Sequence, residues 1–309
     1  MPRLASKDVL RADQFTKDEI ATVMELAREY EKALKEGREL NVMTGLVLST
    51  LFYEPSTRTR LSFETAMLRL GGQVISVAEA KSSSASKGES LHDTIKTVEG
   101  YADVIVIRHP QIGAAQEAAQ ATDRPILNAG DGAGQHPTQS LLDLYTILKE
   151  KGTADGLTIT LAGDLKNGRT VHSLALLLAN FSVRFVFAAP RALRMPQEIL
   201  DQLRNKAIAV QETEDLGEGL AQSDVCYMTR IQRERFDDPA EYDRLKDLYV
   251  LTREQVEAAK DGIIIMHPLP RVNEIATDVD TYPGAAYFRQ SANGVPVRMA
   301  LLALVTGRA

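Results

Sequence analysis

Apolar positions along this 309-residue chain fall into two kinds of run. Short stretches rich in β-branched and aromatic residues stand at 46–53, Val74–Val77, Val104–Ile107 and Pro125–Leu127. They recur at Leu157–Ala162, Val183–Ala189, Ala207–Val210, Val225–Met228 and Ile263–Met266. Their length and composition predict buried strands. Helical spacing appears between them. Ile20, Val23, Met24, Ala27, Tyr30 and Leu34 line one face of a helix over Thr16–Lys35. Phe63, Met67 and Leu70 mark a second helix that Gly71-Gly72 ends, and Thr138–Lys151 is a third. Strands alternating with helices predict βαβ units and parallel sheets. Two such alternations, in a chain long enough for about two domains of roughly 150 residues, predict an α/β protein of two doubly wound parallel-sheet domains. The expected division is 1–137 and 138–292, with a C-terminal helix over 293–309 returning to the first domain and the active site in the crevice between them.

In open α/β sheets ligands bind beyond the carboxyl ends of the strands, and the polar clusters of this sequence stand at such ends. After 46–53 comes Ser56-Thr57-Arg58-Thr59-Arg60, three hydroxyls and two guanidiniums in five residues. A strand turns into a helix there, so unpaired helix amides and the positive end of the dipole add to the donors. The combination suggests an anion cradle, most naturally for phosphate. A plainer role stays open, with Ser56 or Thr57 as a helix cap and the arginines in solvent. Other strand ends carry Arg108-His109-Pro110, the stretch Asn128 to Gln139, Gly163 to Thr170, Thr229-Arg230-Ile231-Gln232 and His267-Pro268-Leu269-Pro270-Arg271. Arg230 and Gln232 alternate with Ile231, so both can face one side of an extended segment.

Gly163 to Thr170 is one substitution from the phosphate-binding loop GxxxxGK[ST]. Arg169 stands where that loop needs a compact lysine charge, and no second strand ends in an acid suited to Mg²⁺. A helix-opening turn is expected instead. Among the five histidines, His92 and His172 sit in helical segments, and His109 and His267 suit loop ordering. His136 differs, because it follows a Gly-rich turn and opens a helix. A helix N-terminus favours neutral imidazole, which can donate a hydrogen bond to a carbonyl oxygen.

Composition narrows the classes. With 36 Lys+Arg against 42 Asp+Glu the formal net charge is -6, which argues against a general nucleic-acid binder and makes the local basic clusters focused anion sites. No apolar run approaches the roughly 20 residues of a membrane span. The N-terminal stretch lacks an apolar signal core, so no targeting is expected. The lone Cys226 permits no internal disulfide and no multi-cysteine metal site, and fits a reducing cytoplasm. Neither a metal nor a cofactor is expected.

The motifs FYEPSTRTRLSFE, KGESL, RHP, NAGDGAGQHPTQ, GDLKNGRTVHS, YMTRIQRER and HPLPRVNEI, in this order and spacing, resemble the aspartate carbamoyltransferases, catalytic chain. The resemblance runs from about residue 9 to the end. It implies transfer of the carbamoyl group of carbamoyl phosphate to L-aspartate in pyrimidine biosynthesis, by a homotrimer that works alone or with regulatory chains or a dihydroorotase. It implies that Ser56, Thr57, Arg58 and Thr59 hold the phosphate, that Thr59, Arg108 and His136 touch the carbamoyl oxygen, and that Gln139 lies near the carbamoyl nitrogen. Arg169, Arg230 and Gln232 are implied for the aspartate carboxylates, Leu269 and Pro270 for backbone contacts to both substrates, and Ser83 and Lys87 for a neighbouring subunit's site. Ornithine carbamoyltransferases share the phosphate cradle but carry a cysteine in the turn that reads His267-Pro268-Leu269-Pro270 here, so the dianionic partner is favoured.

Overall fold

A computed structural model describes residues 4–78, 87–231, 238–245 and 248–309. Ser83 and Gln232 lie outside the described residues. The contacts divide the chain into unit 1, residues 1–142 with 293–309, and unit 2, residues 143–292.

Unit 1 opens with α1 (Lys17–Lys35), started by a reciprocal capping box between Thr16 and Glu19. Its apolar stripe Ile20, Val23, Met24, Ala27, Tyr30 and Ala33 is buried. Then follow β1 (Val47–Phe52), α2 (Thr57–Arg69), β2 (Gln73–Val77), α3 (Leu91–Val98), β3 (Val104–His109), α4 (Ala114–Gln120), β4 (Ile126–Asp131) and α5 (Pro137–Lys151). The four strands form one parallel sheet in the order β2-β1-β3-β4. The inner β1 and the first four residues of β3 are buried, whereas the edge strand β2 is mostly exposed. Central parallel strands covered on both faces read as continuous apolar runs for this reason.

Unit 2 continues with β5 (Thr158–Ala162), α6 (Arg169–Leu178), β6 (Arg184–Ala188), α7 (Gln197–Asn205), β7 (Ala209–Thr213), α8 (Leu216–Gln222), β8 (Val225–Met228), α9 (Pro239–Leu245), α10 (Arg253–Glu257), β9 (Ile264–Met266) and α11 (Tyr287–Val305). Its five strands are parallel in the order β7-β6-β5-β8-β9. Both unit boundaries fall inside helices, α5 and α11. Among the described residues no helix is long and apolar enough to cross a membrane.

Three strands and one helix run further than their apolar runs. β3 continues through Arg108 and His109, β4 through Asn128 to Asp131, and β7 through Gln211 to Thr213. Ladder hydrogen bonds to neighbouring strands hold these polar residues extended, whatever their side chains. α11 starts at Tyr287, earlier than the expected 293, and runs on through Pro296, a residue that as a rule ends a helix.

The C-terminal half of α11 braces the helix behind the first polar cluster. Arg298, buried, donates from Nη1 to Ser62 Oγ at 2.7 Å and lies 4.9 Å over the Phe63 ring. Gly294 makes the room, since a Cβ there would stand 2.3 Å from Arg298 Nη1. In the β8 core, Cys226 is fully buried and burial pushes its thiol up to about 12. A thiol that is both protonated and inaccessible does not react. Native protein is therefore expected to resist aromatic disulfide reagents at pH 8 and to titrate one thiol after denaturation. Rapid native labelling would contradict the packing of β8.

Candidate active site

The strand orders locate two switch points. In unit 1 the chain leaves β1 toward β2 and later leaves β3 in the opposite direction toward β4. Right-handed crossovers then carry α2 to one face of the sheet and α4 to the other. A gap opens beyond the carboxyl ends of β1 and β3, which is where ligands bind in such sheets. The Ser56–Arg60 cluster follows β1, and Arg108 is the penultimate residue of β3. In unit 2 the same reversal separates β5 from β8. Gly163 to Arg169 follows β5, and Thr229-Arg230 follows β8. The basic clusters read from the sequence thus occupy the switch point of each sheet.

In unit 1, Ser56 is the N-cap of α2, yet its side chain makes no capping hydrogen bond. The helix also has no acid in its first turn, unlike α1, α3 and α8. Thr57 and Arg58 are exposed, and Thr59 is buried with its backbone in the first turn. This end of α2 presents amides, hydroxyls and a guanidinium with no carboxylate of its own turn against them, which is the character of an anion site. Arg60 points elsewhere. Its Nε is 3.8 Å from Glu64 Oε1, and Glu64 in turn accepts from Thr50 and Ser76 at 3.1 and 2.8 Å. One of the two guanidiniums in the cluster is therefore structural.

Arg108 is clamped at both ends of its guanidinium. Nη2 meets Glu54 Oε2 at 2.7 Å, and Nη1 reaches the Ala129 carbonyl at 3.4 Å. Glu54 belongs to the loop that feeds α2, so the carboxylate ties this cation to the cradle. Sequence reading gave Glu54 no role, because its partner Arg108 lies on a different strand.

His136 is buried and directly precedes α5, where its carbonyl accepts from the N–H groups of Gln139 at 3.0 Å and Ser140 at 3.2 Å. Gln139 is buried in the first turn. The loop before His136 is set by Asp131, whose carboxylate accepts from Asn128 Nδ2, Gln135 N–H and Gly113 N–H at 3.1, 2.8 and 2.8 Å. Gly132, at φ 50°, leaves no space for a side chain, because a Cβ would lie 2.6 Å from the Pro110 carbonyl. Lys87 is exposed in the segment before α3. His109 accepts from the Gln111 N–H through Nδ1 and meets Tyr53 edge-on, which gives it an ordering role. Burial holds its ring below the ordinary histidine range.

In unit 2 the decoy loop resolves itself. Asp164, fully buried, accepts from the Asn167 N–H at 3.0 Å, and the Leu165 N–H is taken by Leu193 O. Amides that a phosphate would need are already spent, so this is a helix-opening turn and not a nucleotide loop. It places Arg169 at the first position of α6, half-buried. His172 directs Nε2 at the Leu165 carbonyl at 2.7 Å, so it donates there and orders the same turn, and burial lowers its basicity. Gly163, at φ 110°, abuts the other side of the switch point, since a Cβ would fall 2.2 Å from Thr229 O. Thr229 answers with an Oγ1–H to Ala162 O at 3.1 Å, which sets the half-buried Arg230 beside the β5 loop.

The turn after β9 is fastened from two sides. Inside, His267 Nε2 lies 2.6 Å from Glu274 Oε1, and Leu269 N–H donates to His267 Nδ1 at 2.8 Å. Burial pushes the Glu274 carboxyl up, but the hydrogen bond from His267 and backbone N–H groups such as that of Val272 outweigh it and leave it below its ordinary value. Outside, Arg271 Nη2 donates to Asp280 Oδ2 at 2.7 Å while Nη1 pairs with Asp280 Oδ1, which also accepts from Tyr287. Leu269 is held at φ 56°, and the Leu269–Pro270 peptide is cis. Among the described residues no group of three or more His, Cys, Asp or Glu can hold a metal ion.

Two parallel sheets, each with cations fixed at its switch point, define a two-domain α/β protein built for anionic substrates. Known proteins make the class specific. A family model for the carbamoyl-phosphate-binding domain of aspartate/ornithine carbamoyltransferases matches residues 7–149, and one for the aspartate/ornithine-binding domain matches 155–305. This chain belongs to that family. It is 55% identical over 301 residues to an aspartate carbamoyltransferase catalytic subunit of Thermococcus kodakarensis, covering 97% of each chain. It is 53% identical to that of Methanopyrus kandleri over 99% of each. A crystal structure of aspartate transcarbamoylase from Trypanosoma cruzi with carbamoyl phosphate and aspartate superposes with a TM-score of 0.93, at 44% identity over 98% of each chain.

Gly163→Ala is expected to lower stability by about 2 kcal/mol or more, from the left-handed backbone and the clash with Thr229. Thermal melting checks this, and an unchanged Tm would contradict the described geometry.

Proposed function

We propose that this chain is the catalytic chain of an aspartate carbamoyltransferase. It converts carbamoyl phosphate and L-aspartate to N-carbamoyl-L-aspartate and phosphate, a step of pyrimidine biosynthesis. The observation that carries the reading is the match over nearly the whole length to chains named for this activity. The side chains favour the same partner. Unit 2 sets Arg169 and Arg230 at its switch point, charges suited to a dicarboxylate and hostile to a cationic amine such as ornithine.

In this mechanism Ser56, Thr57, Arg58 and Thr59 bind the phosphate of carbamoyl phosphate at the start of α2. Arg108, His136 and Thr59 hold the carbamoyl oxygen, and Gln139 fixes the carbamoyl nitrogen. Arg169, Arg230 and Gln232 take the aspartate carboxylates, and backbone at Leu269 and Pro270 contacts both substrates. The neutral amine of aspartate attacks the carbamoyl carbon, and the three donors stabilise the developing oxyanion. The C–O bond to phosphate then breaks. A phosphate oxygen accepts the proton that the nitrogen loses, so no enzyme base is needed. Holding two anions in reacting geometry against their repulsion supplies most of the rate.

The assembly that goes with this reading is a cytoplasmic homotrimer in which Ser83 and Lys87 serve the neighbouring chain's site. The support is chemical. Lys87 is a solvent-exposed cation preceded by a serine-rich polar stretch, poor material for packing within its own subunit.

Turnover of purified protein with aspartate, ornithine and putrescine tests the reaction, and only aspartate should be carbamoylated. Arg58→Ala should weaken carbamoyl phosphate binding by about 30-fold, the loss of one charge-assisted hydrogen bond, while Arg230→Ala should raise the KM for aspartate and leave carbamoyl phosphate binding intact by calorimetry. Equal losses in both variants would contradict the division of labour. For the trimer, Lys87→Ala and His136→Ala homotrimers should each be nearly inactive, and random 1:1 mixing should restore about a quarter of the sites. No recovery would place Lys87 in its own chain's site.

A further inference from the structure

The imidazole of His267 stands in the middle of the turn that follows β9. It is 1% exposed, and Glu274 beside it is 3% exposed. Nothing in the mechanism above uses either group. Its hydrogen bonds define its chemical form. Nδ1 lies 2.8 Å from the backbone nitrogen of Leu269. That nitrogen carries a hydrogen and can only donate, so Nδ1 must present a lone pair. The proton of the ring is then on Nε2, aimed at Glu274 Oε1 at 2.6 Å. The other Glu274 oxygen accepts from the N–H groups of Val272 and Asn273 at 3.0 and 3.1 Å. The carboxylate therefore closes the turn on its far side and faces the ring on its near side.

A buried relay fixes the origin of the turn. His267 N–H donates to Gln290 Oε1 at 2.9 Å, and Gln290 Nε2 donates to Asp143 Oδ1 at 2.6 Å. Asp143 also accepts from the Tyr227 hydroxyl of β8 at 2.9 Å. These residues are fully or almost fully buried. Leu269, the residue whose N–H the ring captures, has φ 56°. A branched-chain residue holds that conformation only when its surroundings over-determine it. The Nδ1 lone pair is the polar partner that fixes Leu269 there.

We propose that His267, in its neutral Nε2–H form, is a positioning residue for aspartate. Its Nδ1 holds Leu269 in the left-handed conformation that aims the Leu269–Pro270 backbone at the substrate, while its Nε2–H serves only to anchor the turn to Glu274. The inference rests on aspartate being the substrate of unit 2.

Two amide replacements separate the two nitrogens. His267→Asn keeps an acceptor at the Nδ1 position and loses the donor to Glu274. His267→Gln keeps a donor at the Nε2 position and loses the acceptor for Leu269. The full-length protein is assayed with carbamoyl phosphate and aspartate. His267→Gln should raise the KM for aspartate by about tenfold, the effect of one lost buried hydrogen bond, with kcat within about twofold of the parent. His267→Asn should keep the aspartate KM within about twofold and instead lower the Tm more than His267→Gln does, because Glu274 Oε1 loses its donor. A purely structural role would move KM and Tm together in both variants, and that result overturns the proposal. The unmodified protein supplies a test independent of folding. Nitrogen NMR at pH 7 should show a pyridine-type Nδ1 and a pyrrole-type Nε2 for His267, and an imidazolium or the reverse tautomer overturns it. If the unmodified protein does not carbamoylate aspartate at all, the functional reading fails instead, and that failure is visible in the control alone.

Discussion

The constraint on which the rest depends is the reversal of strand order in each parallel sheet. Right-handed crossovers that run in opposite directions from adjacent strands send their helices to opposite faces. Beyond β1 and β3, and again beyond β5 and β8, the carboxyl ends are left uncovered. Backbone amides at the following helix starts have no intrahelical partners there. A protein that places hydroxyls and guanidiniums at those points adds charge to donors that the fold already exposes. A protein that places carboxylates there closes the site, as Asp164 does to the amides of its own turn.

Fixing cations in such gaps has its own cost. A guanidinium drawn partly out of water must keep its hydrogen bonds, or the desolvation penalty exceeds any gain from binding an anion. The structure meets this with acids and carbonyls at measured places. Arg108 is spanned by Glu54 and Ala129. These partners also remove rotamer freedom before any substrate arrives, and a preorganised charge is the kind that stabilises a transition state. The buried relay from Tyr227 through Asp143 and Gln290 to His267 does the same for a turn that contributes backbone rather than charge.

Glycine supports this rigidity at two positions where contact leaves no alternative. Gly132 lies against the Pro110 carbonyl and Gly163 against Thr229, both with positive φ. Each brings a loop from one strand into direct contact with the segment leaving its neighbour. The close approach sets the Gly132 loop directly against Pro110 in unit 1, and the Gly163 loop directly against Thr229 in unit 2.

Much of this was legible in the sequence alone. The short β-branched runs and the helical spacing between them determined a parallel α/β fold with two sheets, because central parallel strands must be apolar on both faces. The motifs at their ends determined the family, since residue types in that order serve one chemistry. Tertiary structure decided the rest. Arg58 and Arg60 look equivalent in Ser56–Arg60, but helix spacing already sets Glu64 one turn from Arg60, and the structure shows Arg58 at the exposed start of α2. Glu54 and Asp143 carry no local signal, because their partners lie on other strands and helices. The strand order itself, which makes a site of two loop ends far apart along the chain, comes from pairing between distant segments, and no local pattern of apolar and polar residues encodes that.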